Sequence, residues 1–151
     1  MITPAFSRLF GNRSKTVIGM LHVPALPGTP RHAGGIAPLL DQVLAEAETY
    51  RACGIHALMV ENMHDIPYVQ HPGPEIATAM AVVAREIKRA HPDLPLGIQI
   101  LAGANREALS AAQAAGADFI RAEAFVFGHV ADEGYMDSCA GTLLRHRKAI
   151  G

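Results

Sequence analysis

Apolar and polar positions along this chain follow two periods, one of two residues in short runs and one near 3.6 in longer ones. The alternation predicts strands at Thr16 to Val23, His56 to Asn62, Leu96 to Leu101 and Asp118 to Ala124. Between them, Ile36, Leu39, Leu40, Val43, Leu44, Ala47 and Tyr50 mark one apolar helix face, and Gly54 closes that helix. A second helix starts at Pro74 and Glu75 and buries Ile76, Met80, Val83 and Ile87. An Ala-rich third helix runs to Ala115 with Asn105 as its N-cap and Gly116 after it. The run FVFGHVADEGYM reads as a loop, and a last helix capped by Asp137 or Ser138 continues to Ile150. Ahead of the first strand, Arg8, Arg13 and Lys15 occur without an acid, which fits a leading helix or arm packed on the domain, or a short organellar presequence.

The order is strand then helix, repeated through the chain, and CGIHAL and AGADFI share one helix-to-strand turn pattern. Such alternation implies an α/β fold with parallel strands, in either an open doubly wound sheet or a closed barrel. The first turn, PALPGTPRHAGG, lacks the G-x-G-x-x-G of a dinucleotide site. Each strand instead carries a polar residue near its C-terminal end: His22, Glu61, Gln99, then Arg121 and Glu123. That is where βα barrels build their sites, so the pattern selects four βα units, half of a TIM-type (β/α)8 barrel. Half a barrel leaves two open edges and an uncovered inner face. The chain is therefore expected to be incomplete by itself, as a truncated product, a fragment, or one half completed by a second copy. Its ending at HRKAIG, where a fifth strand is due, agrees with this.

With 151 residues, half of them apolar, the chain is long enough for one globular, soluble domain with a real core. A net charge of −1, eight scattered His and no Trp offer no electrostatic or stacking surface for nucleic acid. No apolar run reaches the length of a membrane span. Cys53 and Cys139 lie far apart, which indicates neither a disulfide framework nor a zinc knuckle and points to a reducing compartment. The expected location is the cytoplasm, with a mitochondrion or another organelle as the alternative that a presequence implies.

Alternation places Phe119, Arg121 and Glu123 on one strand face, so two opposite charges point toward whatever the strands enclose. They could merely satisfy each other as an internal ion pair. As chemistry, His22 suits a general base or a metal ligand. Glu61 and Glu123 suit an acid and base pair or, with His22, the ligands of a divalent metal. Arg121 suits a carboxylate or phosphate, and Asn62 and Gln99 supply neutral hydrogen bonds. His64, Asp65 and His71 have a metal-like composition at irregular spacing, and Asp132 and Glu133 read as turn or lid residues.

Several separated motifs also resemble one known family. GMLHVPALPG, GIHALMVEN, ADFIRAEAFVFGHVADEG and the trailing LLRHRKAIG, in that order from about Phe6 onward, are similar to the BtpA family, also called BtpA/SgcQ. The resemblance implies a barrel similar to the ribulose-phosphate-binding barrels, in proteins about twice this length, so this chain would be the N-terminal half. It also implies kinship with a cyanobacterial factor for photosystem I biogenesis, although RAEAFVFGHVADEG, in place of an RVN-type fourth strand, looks like the non-photosynthetic branch. It assigns no catalytic residue. The expectation is a metabolic enzyme acting on a small polar or phosphorylated metabolite and impaired in this short chain. The alternatives are a non-enzymatic assembly or stability factor and an inactive truncated product.

Overall fold

The computed structural model describes residues 4–151. After a short helix α1 (Pro4–Phe10), the chain alternates β1 (Ile18–His22), α2 (Ile36–Ala52), β2 (Ala57–Glu61), α3 (Pro74–Ala90), β3 (Leu96–Gln99), α4 (Asn105–Ala115) and β4 (Phe119–Ile120). A hairpin of β5 (His129–Ala131) and β6 (Gly134–Met136) then leads into α5 (Ala140–Ile150). The first four strands form one parallel sheet in the order β1-β2-β3-β4. This is an α/β layout of four successive strand-helix units, the arrangement of half a TIM-type barrel, and the sheet does not close on itself.

One face of the sheet is dry. Leu21, Leu58, Val60, Ile98 and Ile100 meet Leu39, Val43, Met80, Val83, Ile87 and Ala108 from α2, α3 and α4 in a single buried cluster. Helix α3 starts as its sequence predicts, with Pro74 in its first turn, Glu75 beside it, and Lys88 and Arg89 at the opposite end, all favourable to the helix dipole. Gly116 closes α4 at φ +75°, a left-handed conformation that a side chain resists.

The inner face is built in rows. Register pairs Met20 with Met59, Met59 with Gly97 and Gly97 with Phe119, which makes an apolar row. Phe119 lies directly over Gly97, where a Cβ would collide with its ring. Phe10 packs on Phe119 edge-on at 6.0 Å and is buried, so α1 covers the lower part of this face. Among the described residues, Pro4–Phe10 thus form a helix packed on the domain.

Four local expectations are corrected. Asn105 is not the N-cap of α4; Ala104 is, and the Asn105 side chain instead bonds the backbone of Glu123 from both ends, with Nδ2 to O at 2.7 Å and Glu123 N to Oδ1 at 3.0 Å. That amide takes up the backbone groups of Glu123, and the fourth strand pairs only over Phe119–Ile120 rather than to Ala124. The cap of α5 is Cys139, not Asp137 or Ser138, and it makes no side-chain cap bond. The expected loop after the fourth strand contains the β5–β6 hairpin, pinned by Gln70 Nε2 to Glu133 O (2.8 Å) and Tyr135 O (3.2 Å). The anchor lies about sixty residues upstream, beyond the reach of local sequence pattern.

Candidate functional site

Above the apolar row, the next inward positions are all polar. His22 is in register with Glu61, and Glu61 with Gln99. The ladder continues from Arg121 N to Ile98 O (3.1 Å), which sets Arg121 beside Gln99. One layer at the C-terminal ends of the strands therefore reads His22, Glu61, Gln99, Arg121. Glu61 is its centre. One carboxylate oxygen accepts from Arg121 Nη2 at 2.9 Å, and the other stands 3.4 Å from His22 Nε2. The Glu61 side chain is only 5% exposed, whereas those of His22 and Arg121 are 44% and 53% exposed. A desolvated carboxylate thus holds a cation and an imidazole whose remaining atoms face open space. This geometry can bind an anion through Arg121 and move a proton through His22.

The other expected site residues lie outside this layer. Asn62 is buried and fully occupied: its Oδ1 accepts from Leu101 N at 2.7 Å, and its Nδ2 donates to Asp65 Oδ2 at 2.8 Å. It braces the strand end rather than facing the layer. The Glu123 carboxylate accepts from Gly103 N and borders a separate cavity of about 200 Å³ with His71, Asn105 and Cys139. Of the metal set, His22 and Glu61 meet while Glu123 is engaged elsewhere, and two protein donors fall short of the usual three of a catalytic zinc site. Among the described residues, no three His, Cys, Asp or Glu side chains come together. His64 and His71 are exposed and Asp65 is buried; Asp132 is exposed at the hairpin turn, next to Glu133.

Two further loop residues matter: Tyr68, which carried no signal in the sequence, and Asp65, which the sequence marked only as part of a metal-like set. Tyr68 donates to Met63 O at 2.6 Å. Burial first, then the charges of Glu61, Asp65, Glu133 and Glu123, push its hydroxyl above the ordinary phenol range, so it remains a donor above a carboxylate-rich mouth. Asp65 accepts from Leu26 N at 2.7 Å and so ties the loop after β1 to the loop after β2. Burial raises its pKa despite the hydrogen bonds from Leu26 and Asn62, which act in the opposite sense. A carboxyl raised on folding contributes stability that is complete below its unfolded value of 3.8 and is lost as pH rises through the folded value. Urea unfolding of the wild type and of Asp65→Asn across this window should give a difference that shrinks with rising pH; a difference that grows would mean hydrogen bonding outweighs burial.

A family model described as the BtpA family matches residues 13–151, nearly the whole chain. The chain belongs to the BtpA family. It is 49% identical over 149 residues to an uncharacterised Caenorhabditis elegans protein named as mitochondrial, covering 95% of this chain and 54% of that protein. An uncharacterised Archaeoglobus fulgidus protein is 36% identical over 136 residues, covering 90% of this chain and 54% of that one. The photosystem I biogenesis protein BtpA of Synechocystis is 30% identical over 135 residues, covering 89% of this chain and 47% of that protein. This BtpA-family chain spans about half the length of the curated relatives it matches. No helix among its described residues is long and apolar enough to cross a membrane.

Proposed function

We propose that this BtpA-family chain is the N-terminal half of a barrel enzyme that acts on a small polar, anionic metabolite at the inner layer. The observation that carries this reading is the buried Glu61 carboxylate, held at 2.9 Å from Arg121 and 3.4 Å from His22 across three strands. Such a carboxylate orients both partners: Arg121 takes the anionic group of the substrate, and His22, steadied by Glu61, acts as the general base. The reaction class is proton transfer next to that anionic group. The test is a metabolite panel of carboxylates and phosphates, read by thermal shift and turnover, on the wild type and on Glu61→Gln. Equal responses in the two proteins would sink the reading.

The open inner face calls for four further strands, which a C-terminal half would supply in a protein of the relatives' length and which a second copy supplies where this half stands alone. Light scattering on the ligand-bound chain should then give a dimer; a monomeric mass with ligand bound rules the second copy out. The cytoplasm is the proposed location, with a mitochondrion as the alternative that the C. elegans relative's name favours. One observation favours a second, non-enzymatic reading. The Synechocystis relative is named for photosystem I biogenesis, and this chain exposes Phe127, Val130 and Tyr135 on and beside its hairpin. An assembly factor working through that surface would keep its function in Glu61→Gln.

A further inference from the structure

Within the inner layer, Gln99 has a defect that its neighbours lack. Its side chain is 1% exposed, yet its Oε1 is buried without a hydrogen-bond donor among the described residues. Folded proteins rarely leave such an atom unpaired, and a group from outside the chain is one partner that can satisfy it. Two other buried atoms share the condition, Thr16 Oγ1 and His91 Nδ1. Thr16 precedes β1 and His91 follows α3, so both lie at the opposite end of the sheet from the layer. Ile98 and Ile100 belong to the helix-covered core, so strand alternation aims Gln99 inward, between Glu61 and Arg121. Arg121 spends one nitrogen on Glu61 and leaves the rest of its fork toward open space.

We propose that the ligand of this layer is a hydroxylated anion: a carboxylate or phosphate seated on Arg121, with a hydroxyl one or two carbons away that donates to Gln99 Oε1. Neighbouring strands stand roughly 4.8 Å apart, a spacing that suits an acid group and a nearby hydroxyl. The inference rests on the reading of the layer as a small-molecule site and adds the feature by which that site selects. A ligand without the hydroxyl leaves the amide oxygen unpaired and is rejected for that reason.

The experiment compares matched pairs by calorimetry: lactate with propionate, and glycerol 3-phosphate with propyl phosphate. In at least one pair, the hydroxylated member should bind roughly ten- to a hundredfold more tightly, the range of one hydrogen bond to an otherwise unpaired buried group. The pair that responds tells carboxylate from phosphate. Gln99→Met, of similar volume, should bring that ratio near one and raise the melting temperature of the ligand-free chain. Equal binding within both pairs, a ratio that survives Gln99→Met, or a lower melting temperature in that variant would each overturn the assignment. In those cases the small-molecule reading stands as long as anion binding is lost in Arg121→Gln. If the wild type binds none of the four anions, that reading and this inference fall together.

Discussion

Asn62→Leu is expected to lower the unfolding free energy by about 3 kcal/mol, since it strips one partner each from two buried groups that together cost that much when left unpaired. Leucine has the same number and branching of side-chain heavy atoms, so none of the loss comes from a cavity. What is lost is the acceptor for Leu101 N (2.7 Å) and the donor to Asp65 Oδ2 (2.8 Å). Asp65 in turn holds Leu26 N, so a single side chain couples the end of β2 to the loops that follow β1 and β3. These loops frame the mouth of the site, and the damage should reach the layer through them. Urea denaturation measures the effect, and a loss below about 1 kcal/mol, the worth of one ordinary hydrogen bond, would show that Asn62 does not act as a brace.

Glu61→Gln is expected to do the reverse, to spare the fold and remove the activity. Turnover should fall by roughly 10²- to 10⁴-fold, the usual contribution of a positioned acid-base system. Stability should change little, because removing a desolvated carboxylate removes its burial cost along with its ion pair, and the half-exposed Arg121 can be hydrated. The partner substitution separates the two effects. Arg121→Gln leaves the 5% exposed Glu61 carboxylate with only His22 nearby and should cost roughly 1–2 kcal/mol, less than the loss of a partner from a fully buried pair because Arg121 is half-exposed. Paired urea and turnover measurements on both variants decide the matter. Should Glu61→Gln destabilise the chain as much as Arg121→Gln, the pair is structural and the layer carries no chemistry.

Much of the site can be read from single positions. His22, Glu61, Gln99 and Arg121 each stand near the C-terminal end of an apolar run, and parity alone puts them on the face opposite Leu21, Val60 and Ile98. Glu123 shows where parity stops working. It shares the parity of Arg121, but the last ladder bond of that strand is Arg121 N to Ile98 O, and beyond Arg121 alternation no longer sets direction. Its carboxylate is taken by Gly103 N, its backbone by Asn105. Asn62 illustrates a different limit. An amide at a strand end looks the same in sequence whether it waits for a ligand or braces a loop, and only the positions of Leu101 and Asp65 distinguish the two. Tyr68 and Gln70 gave no signal at all, because their roles depend on groups more than sixty residues away or on charges gathered from several loops.

By itself, the sequence determined the strand-helix order, the parallel sheet and the polar ends of its strands. These depend on periodicity and on residue chemistry acting over a few neighbours. Tertiary structure alone decided which polar residues meet, which are used up as braces, and that Gln99 Oε1 is buried without a partner among the described residues. Those outcomes depend on register between strands and on loop contacts across long separations, which no local pattern encodes.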